Sequence, residues 1–333
     1  MIDRTELDRT AASIRALYDA QLYRDARGLA RRVAAELPEP TAKVGAEEVR
    51  ARAHLARTLA LVGEGRWARI QLDRAIAATE RTLGPRHPEL ASLLIAQAEV
   101  ISQLVYYPQL EPLCKRADEI CEVAHGADHA HTARAQLAWA ELVIRHWHPY
   151  LARPLARRAR ATLEPVAGSL DPVVLRAREL LALAGKGTTP PARLAEELTD
   201  LLALRERVQG PMHPDLVRLL EPAIEIEPET DGAARAHERA RKILVKVHDE
   251  SHPHVALVDV LMAERWMRVA DTSRALPFLE SALSKLEAAW ELDHPDRMPV
   301  YGRLTMLMIW VEGGPEMDAL KGRLRALKDL EKK

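Results

Sequence analysis

The side chains best suited to chemistry in this 333-residue chain are histidines. Three of them, His125, His129 and His131, stand together in "HGADHAH", and His146 and His148 follow in "HWH". Paired imidazoles can hold zinc, so a metal-dependent hydrolase is one chemistry open to this set. The spacing lacks the helix-borne HExxH form, and both cysteines, Cys114 and Cys121, sit elsewhere. Loop histidines without a metal are the expectation. The cysteines lie about 10 Å apart along one expected helix, too far for a disulfide, and read as small buried side chains. "AGKGTT" at 184–189 is short of a full phosphate loop and follows a helix where a strand is required. No serine-hydrolase or kinase signature is present. No catalytic residue, metal or cofactor is therefore expected.

The elements that carry these residues repeat. "TLGPRHPELA" (82–91) is echoed by "HGADHAHTA", "AGSLDPVVL", "QGPMHPDLV", "DESHPHVAL" and "ELDHPDRMP". The markers His87, His129, Asp171, His213, His252 and His294 advance in steps of 42, 42, 42, 39 and 42. A fixed period of this size signals stacked repeats. Within 252–292, Val255, Val258, Met262 and Trp266 recur at helical spacing, "ADTS" breaks the pattern, and Leu276, Leu279, Leu283 and Leu286 resume it. That is an αα-hairpin. Pro253 suits a helix start, and the histidine before it belongs near the cap.

Composition agrees with helices. The chain is 47% hydrophobic and only 4% aromatic, so Ala and Leu must build the core. Its formal charge of −1 gives no global field for nucleic acid or anionic lipid. No apolar run approaches the roughly 18–20 residues that span a bilayer, and "MIDRTELDRTAASIRAL" lacks a signal-peptide core. A cytoplasmic protein is expected. Arginine far outnumbers lysine and asparagine is absent, the bias of a GC-rich genome.

With the linker phrase and small residues at fixed offsets, the chain resembles the 42-residue tetratricopeptide repeats of kinesin light chains and many bacterial regulatory proteins. Ala140 and Ala263 match the small position of the first helix. Ala68, Ala152 and Ala275 match one in the second helix, and Ala75, Ala117, Ala159 and Ala282 match another; Pro112, Pro154 and Pro277 match its opening proline. The resemblance runs from about 45 to 295 and fades outside. It implies an all-α fold: a right-handed α-solenoid of about seven to eight hairpins. The expected organisation is a single array over 1–333, with repeats starting near 3, 45, 87, 129, 171, 213, 252 and 294. The segment 183–232 should be irregular, a possible hinge, because it holds the "AGKGTTPPARL" connection, Pro222 and the shortened repeat.

The resemblance also implies a non-enzymatic scaffold or adaptor that binds another protein or peptide in a concave groove lined by first helices. By register, Arg50, Arg134, Arg176 and Arg218 form one ladder. Glu99, Glu141, Glu225 and Glu264 form another, with Glu179 and Glu221 between them. The expected groove has an acidic floor and an arginine edge; the competing reading is that the ladders pair with each other across repeats. Family members grip peptide backbones with asparagine; Gln97, Gln103 and Gln136 could substitute only in part. Neither nucleic acid nor membrane is an expected partner. Self-association, a homo-oligomer through uncapped repeat ends, and a role as a cytoskeletal adaptor on tubulin-like filaments are the alternatives.

Overall fold

A computed structural model describes residues 4–20, 22–36, 46–102, 109–146, 148–226, 230–291, 294–309 and 314–330. Among them are sixteen α-helices and no strand. The repeat marks near 3 and 45 fall outside the described residues. The chain divides into two compact units, 1–185 and 186–333. No helix among the described residues is long and apolar enough to cross a membrane.

The first unit pairs α1 (Arg4–Asp19) with α2 (Tyr23–Glu36), α3 (Ala46–Leu61) with α4 (Gly65–Leu83), α5 (Pro88–Ile101) with α6 (Glu111–His125) and α7 (Ala130–Arg145) with α8 (Pro149–Ala167), and ends on α9 (Pro172–Leu183). The second holds α10 (Pro191–Gln209), a 3-10 turn at Pro214–Leu216, α11 (Val217–Ile226), α12 (Thr230–Val247), α13 (Pro253–Arg268), α14 (Thr272–Glu291), α15 (Arg297–Ile309) and α16 (Pro315–Leu330). Within each unit the first helices of successive hairpins pack side by side, α3 on α5 on α7 on α9, and α11 on α13 on α15. This is an all-α solenoid.

Alanine makes that packing possible. Ala68, Ala75, Ala117, Ala140, Ala152, Ala159, Ala263, Ala275 and Ala282 are all 0% exposed, so no larger side chain holds neighbouring helices apart there. Leu55, Leu72, Leu90 and Leu175 fill the core of the first unit; Val255, Leu279, Leu286 and Leu304 fill that of the second. Cys114 and Cys121 are buried and free, their thiols raised to about 12 and about 11, chiefly by burial.

The repeating turn has a definite mechanism. Gly84 and Gly126 end α4 and α6 at φ 96° and 99°, a left-handed conformation that residues with a Cβ resist, and each donates its N–H to the carbonyl four residues back. Three residues later, His87 Nδ1 accepts the N–H of Glu89 at 3.3 Å, capping α5. His129, His213, His252 and His294 do the same at 3.2, 3.2, 3.2 and 3.1 Å, and the Asp171 carboxylate does so at 2.8 Å. His87, His129, His213 and His252 are helix N-caps, and Asp171 takes the same place in its repeat.

Three prolines differ from expectation. Pro154 and Pro277 do not open α8 and α14 but lie inside them, because each helix starts about a turn earlier, at Pro149 and Thr272. Pro222 does not end α11, which continues to Ile226; that helix is short because its first turn is the 3-10 segment. The connection between α9 and α10 is long and runs through Gly187 at φ 87°.

Candidate functional site

In the first unit, α3, α5 and α7 line an open groove of about 610 Å³, with α6 contributing Cys121 and His125. Its floor is lined by the small residues Ala53, Ala91, Ser92 and Ala138; its charged groups are Arg50, Arg57, Arg134 and Glu89. Arg50 reaches across the repeat boundary to Glu89 at 3.0 Å through Nε and 2.5 Å through Nη2. Arg57 does likewise to Glu99, at 2.9 Å. Arg134 is exposed and forms no ion pair among the described residues.

The remaining ladder residues meet inside their own units. Arg176 on α9 donates to Glu141 on α7 at 2.7 Å and to Glu179 at 3.0 Å. Burial alone would lower the Arg176 pKa, but these two carboxylates hold it above its ordinary value. In the second unit Arg303 on α15 grips Glu264 on α13 with two bonds, 2.6 and 2.7 Å, and reaches Glu225 on α11 at 3.1 Å. Burial would raise Glu225, yet Lys186 and then Arg303 hold it below the carboxylate range. Glu221 is different: burial pushes its carboxyl up to about 7, Arg303 opposes, and neighbouring Glu225 adds to the rise. Arg218 stays exposed, 3.7 Å from Asp215.

Arg57 and Arg303 were not among the ladder residues expected from the sequence. Arg57 was legible, since it stands 42 residues before Glu99 and so at the same register. A second set of cross-repeat pairs on the second helices was also missed: Arg116 with Glu80 at 2.5 Å, Arg158 with Glu122, Arg239 with Glu206 at 2.5 Å and Arg323 with Glu287 at 2.7 Å. Three of these pairs are 36 residues apart and Arg239–Glu206 is 33 apart. Glu225 keeps the spacing from His213 that Glu99 keeps from His87, so the shortened repeat has lost its residues between Glu225 and Arg239.

Gln97 and Gln136 are committed internally, to the carboxylates of Asp73 and Asp118, the latter at 3.0 Å; Gln103 lies outside the described residues. His125, His129 and His131 stack with ring centroids 5.0 to 5.1 Å apart. A buried network joins α12, α13 and α14, where Asp259 accepts from His237 at 2.9 Å, Ser281 at 2.9 Å and Lys285 at 3.0 Å. Every donor there has its acceptor, which suits a strut between helices.

No family model and no curated protein matches the chain. Solved structures do. The Rap protein complexed with competence and sporulation factor is 13% identical over 98% of both chains, with a TM-score of 0.52. Aspartyl phosphate phosphatase F from Bacillus subtilis is 10% identical over 98% of this chain and 95% of its own, also at 0.52. A kinesin light chain of Podosopora anserina with nearly identical TPR-like repeats is 18% identical over 61% of this chain and 98% of its own, at 0.49. The fold is that of a tetratricopeptide-type repeat protein.

Proposed function

We propose that this tetratricopeptide-type chain is a non-enzymatic scaffold that takes an acidic segment of a partner protein along the groove of α3, α5 and α7. The observation that carries the reading is Arg134, an exposed cation with no ion pair among the described residues, on a groove whose charged lining is Arg50, Arg57, Arg134 and Glu89. Arginine is suited to the task because its planar fork meets a carboxylate with two bonds. The small residues of the floor let a partner backbone come close. That the Rap neighbour was solved in complex with competence and sporulation factor agrees with a binding role for such a fold.

On this reading the ladder divides its labour. Arg50 and Arg134 are offered to the partner. Glu99, Glu141, Arg176, Glu179, Glu225 and Glu264 set the spacing of the helices that present them, and Arg218 and Glu221 have no assigned partner contact.

The test is titration of a labelled Glu/Asp-rich peptide into wild type, Arg134→Glu and Arg157→Glu, the last on the exposed side of α8. Binding that weakens with salt and is lost in Arg134→Glu but kept in Arg157→Glu supports the groove. Equal affinity in all three, or preference for a Lys-rich peptide, overturns it.

A further inference from the structure

The spacing His-x3-His-x-His occurs twice, at His125, His129, His131 and at His248, His252, His254. In both copies the middle histidine caps the next first helix. The surroundings differ. Across the following repeat boundary the first copy has Asp171 and Val173 at the equivalent register, whereas the second has His294 and Asp296. In the second copy His252 stacks on His248 with centroids 3.8 Å apart and meets His294 edge-on at 4.6 Å. The ligand atoms of His248, His252 and His254 all lie within 4.8 Å of one another, and so do those of His252, His294 and Asp296. Among the described residues the first copy gives no such convergence.

We propose that His248, His252 and His254, completed by the Asp296 carboxylate from the next repeat, bind a divalent transition-metal ion of the zinc type. Three imidazoles and one carboxylate are a tetrahedral zinc donor set, and they disfavour magnesium, which prefers an all-oxygen shell. At Zn–N distances of about 2.0–2.1 Å, tetrahedral donors stand about 3.3 Å apart, so small rotations close the three imidazoles, and Asp296, within 4.8 Å of His252, must move in to complete the set. The Asp296 carboxylate makes no hydrogen bond or ion pair to a described residue; a cation would supply the missing partner. His248 and His254 are exposed and give the ion its entry. Binding ties the α12–α13 turn to the start of α15.

The experiment titrates the chelator-treated full chain with Zn²⁺ at neutral pH, following heat and melting temperature. Wild type should take up one equivalent and melt higher with zinc present. His248→Ala/His254→Ala, two exposed positions that leave the cap intact, should bind at least about tenfold more weakly, and Asp296→Asn about tenfold more weakly. His125→Ala/His131→Ala is the matched control and should bind as wild type does. Melting without zinc confirms that each variant folds, and His254→Ala alone serves if the double variant does not. No saturable uptake by wild type, or uptake unchanged by loss of His248 and His254, overturns the site.

Discussion

Arg303 and Glu225 stand 78 residues apart in the chain, yet their side chains meet at 3.1 Å. Because Arg303 also holds Glu264, one guanidinium fastens three consecutive first helices, α11, α13 and α15. Removing it leaves two largely buried carboxylates short of a counter-charge. Arg303→Ala should therefore lower stability by about 1–3 kcal/mol, less than a fully buried pair because the arginine is partly exposed. Arg303→Lys should recover only part, since an ammonium cannot reproduce the two-bond grip. Urea denaturation of the full chain measures both; a loss below about 0.5 kcal/mol in Arg303→Ala contradicts the clamp.

A related contrast separates spacing residues from contact residues in the first unit. Glu141→Lys sets a second cation against Arg176 and should cost about 1–2 kcal/mol. Arg134→Glu touches no ion pair and should stay within about 0.5 kcal/mol of wild type. Equal melting temperatures for the two would show that the Arg176–Glu141 pair contributes nothing to the fold.

Glu221 sets a pH dependence. Its folded pKa, about 7, lies above the ordinary 4.5, so the folded state binds the proton more tightly. The stability it contributes is present below about pH 4.5 and lost as pH rises through 7. The loss is of the order of 3 kcal/mol. Glu221→Gln should remove this dependence, flattening the stability of the second unit between pH 5 and 8. An unchanged slope in the variant would place the titration elsewhere.

The histidine caps make a simple series. His87→Ala should lower the stability of the first unit by about 1 kcal/mol, and His87→Asp should be near neutral, because Asp171 already performs the same capping in the same register. Thermal melts that rank the aspartate variant with alanine would mean that the imidazole packs rather than caps.

The fifth expectation concerns the connection. Each unit has its own core, one ending at Ala184 and the other drawn from residues beyond it. Limited proteolysis should cut first within 185–190, and the two fragments should remain helical and melt cooperatively. Hydrogen exchange as slow there as in α5 or α13 would contradict it.

Much of this was legible in the residues. The period placed the first helices, because a His-Pro or Asp-Pro turn stops one helix and caps the next within a few positions. The alanine offsets gave the core, since only a small side chain fits where helices touch. The ladder residues were legible as register positions, but not their partners. Whether Glu264 faces solvent or Arg303 depends on how far one hairpin turns on the next, which no single repeat encodes. The His252 cluster escaped for a similar reason: Asp296, the donor that completes it, comes from the next repeat, 42 residues after His254. A local reading singled out only the exposed "HGADHAH" group, whose equivalent neighbours are Asp171 and Val173, and expected loop histidines without a metal there.

The cross-repeat pairs on the second helices carry a consequence for how such a chain can lengthen. A block cut after Gly84 and again after Gly126 brings its own cap at His87, an Arg116 that reaches back and a Glu122 that reaches forward. Glu122 is offered to the next block from the place where Glu80 meets this one. Copying the 85–126 block in tandem would therefore set Glu122 of the first copy against the second copy's equivalent of Arg116. Duplication by unequal crossing-over at these glycines keeps the second-helix pairs, but sets Glu99 of one copy beside Glu99 of the next where Arg57 now stands, so one arginine substitution there would complete the joint.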